Sequence, residues 1–184
     1  MNWNEFINKS NGLYEKLHNT HVEYYHFWMS NILFTWRWWV ALSLIILPWA
    51  IWLFVRKKES TDRLLYVAFF VMVFSSALDN IGMTINLWNY PVSVFPLLPE
   101  FITFDVCVLP VATMIFIQYF PNVNPYIKAI IYASTSSFIF EPLNVYLGLY
   151  EKIHWEYYYS FPIMILIYLF ANHLASNNKF DKLK

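Results

Sequence analysis

The chain has one cysteine, Cys107, and only three glycines, Gly12, Gly82 and Gly148, in 184 residues. A lone cysteine excludes an internal disulfide framework and any metal site built on several thiolates. Three scattered glycines leave no glycine-rich loop to cradle a phosphate. Charge is scarce as well: 13% of residues are charged, where a soluble domain carries about 25%. Basic and acidic residues number 12 each and cancel. No basic stripe with interleaved aromatics is present, which excludes nucleic acid as a partner. No G-x-S-x-G elbow supports a serine hydrolase. His18, His21 and His26 lie near the N-terminus and His173 near the other end, leaving His154 alone near the acids discussed below. That is too few ligands for a zinc centre.

Apolar matter fills the gap. Hydrophobic residues make up 59% of the chain and aromatic residues 22%, and the mean hydropathy is +0.40. Residues 36–55, 64–86, 102–120, 126–148 and 157–175 are each mostly apolar and close to the roughly 20 residues a helix needs to cross a bilayer. The predicted fold is therefore all-α, an integral membrane bundle of five transmembrane helices over residues 36–175. Residues 1–35 lack the pattern of a cleavable signal peptide. Trp3, Phe6, Ile7, Tyr14 and Leu17 recur there at near-helical spacing opposite Asn4, Glu5, Asn8, Lys9, Glu15 and Lys16. This predicts an N-terminal amphipathic interfacial segment, broken at Asn11-Gly12. Residues 176–184 form a short tail.

Orientation follows from Lys and Arg close to the spans. Arg56, Lys57, Lys58, Arg63, Lys128, Lys179, Lys182 and Lys184 fall on one side; Lys9, Lys16, Arg37 and Lys152 fall on the other. The richer side is expected to be cytoplasmic, in a bacterial plasma membrane, with the N-terminus outside and the C-terminal tail inside.

Against this background the intramembrane acids stand out. Asp79, Asp105 and Glu141 lie on three different spans. At about 1.5 Å per residue all three fall in the outer half of the bilayer at similar height. Ser75, Asp79, Gly82 and Asn86 form one helical stripe, and Ser134, Ser137, Glu141, Asn144 and Gly148 another; small and polar residues so spaced serve close packing of helices in lipid. Pro110 and Pro142 follow shortly after Asp105 and Glu141, and each frees a carbonyl four residues earlier. Freed carbonyls beside carboxylates suit a hydrated or ligand-lined pocket. A carboxyl at this depth costs a few kcal/mol and normally has a purpose. Asp79, Asp105 and Glu141, with His154 in the adjoining loop, are the candidate acid–base or ligand-binding cluster. Asn80, Asn86, Trp88, Asn144, Trp155 and Tyr158 are the candidate ligand-binding residues around it. The carboxylates and Asn144 offer the oxygen donors of a hard-cation site, but proton sharing fits the inventory better, and neither a metal ion nor a cofactor is expected. Gln118 is expected to be interfacial and without a role, and Cys107 a small apolar filler.

The stretches "WRWWVALSLIILPWAIWLF", "ALDNIGMTINLWNYP", "FDVCVLPVATMIFIQYFP" and "FEPLNVYLGLYEKIHWEYYYSFP" occur in an order that resembles a family of small five-span membrane proteins of Bacillus- and Clostridium-type bacteria, named after a Clostridium botulinum member. The resemblance covers roughly residues 36–175. It implies location and span count, and no activity.

Three functions compete. The first is an outer-leaflet acidic and aromatic pocket that binds or transforms a lipid or small apolar ligand. The second is a proton-coupled transport component, assembled as a homo-oligomer because five helices leave little room for a pore. The third is a non-catalytic partner in a larger membrane assembly. A transport path needs polar residues continuing inward, and the cytoplasmic half offers only Ser75, Ser76, Ser134 and Gln118. That favours the one-sided pocket. The sequence does not decide between binding and catalysis.

Overall fold

Helix α1 (Trp3–Asn31) opens on a reciprocal cap: Glu5 N donates to Asn2 Oδ1 at 2.8 Å, and Asn2 N donates to Glu5 Oε2 at 3.1 Å. In this computed structural model, which describes residues 1–99 and 101–176, α1 runs without a break through Asn11-Gly12. The expected interruption is absent. A glycine inside a helix costs only about 1 kcal/mol relative to alanine, and nothing lies within 4 Å of Gly12 to bend the chain. Most of α1 is exposed; only its last turns dock, through Trp28.

The remaining helices form a bundle of rods that run back and forth. Helix α2 (Trp36–Val55) is capped by Thr35 and carries Pro48 inside it. A short 3-10 turn, Lys58–Ser60, leads into α3 (Thr61–Thr84). The next rod begins as a π-helical stretch, Thr103–Val108, and continues as α4 (Leu109–Tyr119). Asn124 caps α5 (Pro125–Thr135) by accepting from Tyr126 N at 2.9 Å, with proline at the first helical position where its missing N–H costs nothing. A second π-helical stretch, Ser136–Phe140, joins α5 to α6 (Glu141–Leu147). Gly148 ends that rod at φ 71°, a left-handed backbone that glycine adopts without a Cβ penalty. Helix α7 (Tyr157–Ala175) completes the bundle and packs along α5 and α3.

Two ends can be told apart. At one, β1 (Trp88–Asn89) pairs antiparallel with β2 (Glu151–Lys152), and Leu87 O accepts from Ile153 N and His154 N. These two-residue strands are the only departure from all-helical structure among the described residues. Trp28 Nε1 and Trp38 Nε1 donate to Ser93 O and Val94 O at 2.9 and 3.1 Å, tying α1 and α2 to the same end. At the other, basic end, Gln118 is buried. Its Nε2 donates to Val55 O and its Oε1 accepts from Lys57 N, both at 2.9 Å. Gln118 therefore closes the C-terminus of α2, satisfying backbone groups that a helix end leaves open; it is not the idle interfacial residue expected.

Trp36–Val55, Lys58–Thr84 and Tyr157–Ala175 are long and apolar enough to cross a membrane. The Thr103–Tyr119 rod is apolar but shorter, and the 125–147 rod is diluted by Lys128, Glu141 and several hydroxyl residues. The bundle wears its apolar residues outward: Phe54 is 90% exposed, Tyr146 85% and Phe69 65%. Apolar surface on this scale suits a lipid surround rather than water. The interior is built from Trp52, Leu64, Ala68, Val111 and Met114 on one side and Val67, Val71, Ile167 and Ala171 on the other. Residues 177–184, including Lys179, Lys182 and Lys184, lie outside the described residues.

Candidate functional site

Both cavity acids sit at π-helical turns, and proline accounts for them. Pro110 has no N–H to offer Val106 O, and Pro142 none for Phe138 O. The helix responds by bonding one residue further on: Leu109 N donates to Phe104 O, and Glu141 N to Ser136 O. Each wider turn inserts one extra residue and re-aims its neighbours, a distortion that recurs at functional sites. Trp49 Nε1 donates to Val106 O at 3.3 Å and supplies part of what Pro110 withholds.

Between these turns lies a cavity of about 400 Å³, within the range of small-molecule sites. Asp105 and Glu141 line it, with Tyr90, Tyr150, Phe104 and Asn144 around them and Val40, Leu44 and Leu147 from α2 and α6. Tyr132, Phe116 and Met164 also line it. Phe140 and Leu143 line the cavity while standing 52% and 44% exposed. The cavity therefore reaches the apolar flank of the bundle.

Asp105 is 2% exposed, and its Oδ2 has no hydrogen-bond donor. Asp79 stands behind Tyr90 and does not line the cavity. Tyr90 Oη donates to Asp79 Oδ2, and the Asp79 and Asp105 carboxyls are close enough to share a proton. Burial, reinforced by the charge of Asp79, pushes the Tyr90 phenol well above its ordinary range, so it remains a neutral donor. Burial and the charge of Glu141 raise Tyr150 in the same sense. The Tyr90 ring stacks on Phe104 and tilts against Tyr150, with centroids 5.5 and 5.4 Å apart. Glu141 Oε2 is buried without a donor, and the Ser160 hydroxyl lies beside the same carboxyl. Trp155 Nε1 donates to Ser160 Oγ at 2.9 Å and holds that hydroxyl in place.

The expected site residues thus separate. Asp79, Asp105, Glu141 and Asn144 converge, although Asn144 spends its amide N–H on Phe140 O at 2.9 Å. Trp88 and Trp155 form a separate layer: their rings meet edge to face at 4.8 Å, and the Trp88 ring packs against Gly82. The Trp88 indole N–H approaches Asp79 but completes no hydrogen bond. His154 is exposed in the hairpin and does not reach the acids. Asn80 is exposed on α3, Asn86 occupies an exposed turn at φ 60°, and Tyr158 is exposed with its hydroxyl on Tyr159. The stripe Ser134–Ser137–Glu141–Asn144 does not enter the cavity as a unit. Thr135 and Ser136 line it in place of Ser134 and Ser137, because the π turn shifts the helical phase. Ser75 donates back to Val71 O at 2.7 Å, a packing bond inside its own helix. Among the described residues no group of three His, Cys, Asp or Glu is arranged to hold a metal ion.

Tyr90, Tyr150 and Ser160 were not singled out by sequence. Tyr90 and Tyr150 lie in loops dense with aromatic residues, where nothing distinguishes a buried phenol from a membrane-interface tyrosine. The half of the bundle towards the basic end is also less apolar than the sequence suggests. Thr113 Oγ1 donates to the buried Tyr132 Oη at 3.0 Å, Tyr168 is fully buried with a partnerless hydroxyl, and the buried Lys128 Nζ donates to Asn172 Oδ1 at 2.9 Å. Compared with known proteins, the chain matches no family model, no curated protein and no solved structure.

Proposed function

We propose that this is a five-span membrane protein that binds, or acts on, a lipid or small apolar molecule in the cavity between α2, the Thr103–Val108 turn and α6. One observation carries the reading: an apolar cavity that opens sideways on the bundle flank and holds two buried carboxyl oxygens without donors. A molecule dissolved in the bilayer would enter from the side without crossing water. The Thr103–Tyr119 and 125–147 rods would be the third and fourth spans, the latter carrying its polar residues inward. The excess of Lys and Arg at the basic end supports a cytoplasmic location for it, with the hairpin and the cavity towards the outer leaflet. Resemblance over residues 36–175 to the five-span family of Bacillus- and Clostridium-type bacteria supports the same span count.

The polar seam of Tyr132, Tyr168, Asn172 and Lys128 favours the proton-coupled alternative more than the sequence did. A relay must hand a proton from group to group, however, and Tyr168 Oη has no partner to pass it to. The pocket is the stronger reading.

The test is a photolabelling experiment on the protein in nanodiscs. An adamantane diazirine should label Val40, Leu44 and Leu147, and dodecanol should compete that labelling away while sparing labelling of lipid-facing Phe54. Ala112→Phe, which narrows the cavity from its lining, should abolish the competed fraction. Labelling that dodecanol cannot displace, or that survives Ala112→Phe, would sink the pocket.

A further inference from the structure

We propose that the molecule held in this cavity is an apolar body carrying a protonated amine, seated between Asp105 and Glu141. The inference rests on the pocket reading above and names the chemistry of the head group.

The cavity holds two acids and, among the described residues, no basic group. Asp105 Oδ2 and Glu141 Oε2 are both buried and unpartnered, and a buried acceptor left open costs about 1–3 kcal/mol. The Asp79 carboxyl lies beside Asp105 and the Ser160 hydroxyl beside Glu141, and neither brings a positive charge. Among the described residues no Lys, Arg or His lines the cavity. Arg37 lies outside it and gives its Nε to Leu147 O at 2.9 Å. Lys152 lies in the hairpin and pairs with Glu156 at 2.7 Å. The Tyr90 hydroxyl is committed to Asp79, and the Asn144 amide gives one of its two N–H groups to Phe140 O.

A carboxylate or phosphate head group would add acceptors and negative charge to a site already rich in both. A hydroxyl brings one donor for two open acceptors. An ammonium brings up to three and a positive charge between two acids, and bonds between charged partners are about twice as strong as neutral ones. The walls suit a cation as well: the rings of Tyr90, Phe104 and Tyr150 line the same space, and aromatic faces attract a desolvated cation. The rest of the lining, Val40, Leu44, Leu147, Phe116 and Met164, takes the apolar body.

Three probes that share one chain separate the possibilities: dodecylamine, dodecanol and dodecanoate, titrated into the nanodisc-embedded protein and followed by thermal unfolding. Dodecylamine should bind about tenfold or more tightly than dodecanol, with no stabilisation by dodecanoate. Asp105→Asn and Glu141→Gln should each remove most of that preference while Val40 and Leu44 still take the adamantane diazirine label, which shows that the variants keep their cavity. Equal binding of amine and alcohol, or an amine preference that survives both substitutions, overturns the amine and leaves the pocket standing. Failure of all three probes to shift wild type while Ala112→Phe also changes nothing overturns both.

Discussion

Gly82 and Gly12 are both interior helix glycines, yet their surroundings give the same substitution opposite signs. A Cβ on Gly82 would run into the Trp88 indole, which is itself wedged against Trp155. A rigid ring cannot yield as a flexible chain end does, so Gly82→Ala should destabilise the protein by about 1–3 kcal/mol. In a Trp88→Ala background the same change should cost almost nothing, because the clash partner is gone. Gly12 has open space around it, and Gly12→Ala should raise the stability of α1 by up to about 1 kcal/mol. Thermal unfolding of the four variants in detergent decides this. A Gly82→Ala cost that persists without Trp88 would mean that another contact explains the buried glycine.

At the scale of elements, the two π turns are the devices that aim the acids. In a regular α-helix Asp105 would sit about 100° away per residue of phase shift, and its carboxyl would leave the cavity. Pro110→Ala restores the N–H that Val106 O lacks and releases Trp49 from that carbonyl. The Thr103–Val108 stretch should then relax towards regular helix, with helical content unchanged by circular dichroism and the protein as stable as before or more so. Binding of dodecylamine should fall about tenfold even though no cavity side chain has been altered. Unchanged binding would show that the π turn is set by tertiary packing and not by proline. The aromatic layer behaves differently. Trp28 and Trp38 hold the backbone of Ser93 and Val94 from two helices, so the loop bearing Tyr90 is placed by elements distant in sequence.

For the whole molecule, orientation is the property on which the outer-leaflet assignment depends. Glu151 and His154 are exposed in the hairpin and Lys58 is exposed at the basic end, while native Cys107 is buried. Cysteines placed at Glu151 and His154 should react with an impermeant thiol reagent applied to intact cells, and one at Lys58 should react only after lysis. Wild type should stay unlabelled. The reverse pattern would put the cavity in the cytoplasmic leaflet and leave its chemistry unchanged.

Composition and periodicity were enough to identify a helical, membrane-suited chain, to bound α2 and α7 to the residue, and to mark Asp79, Asp105 and Glu141 as carboxyls placed in apolar helices. They succeed because apolar run length and the cost of a buried carboxyl are local, additive properties of the chain. Prolines 110 and 142 also pointed to disturbed helix beside two of the acids, since the missing N–H is a covalent fact. What the sequence could not decide was which side chains meet. An ideal helical wheel placed Ser134 and Ser137 with Glu141, but one π turn adds a residue and brings Thr135 and Ser136 to the cavity instead. Proximity along the chain placed His154 near the acids, yet the β1–β2 pairing turns it to the exterior. Tyr90 reaches Asp79 across a turn, and Asp105 meets both from another helix. Such contacts depend on helix phase and loop docking summed over the whole bundle, and only the packed tertiary structure fixes that sum.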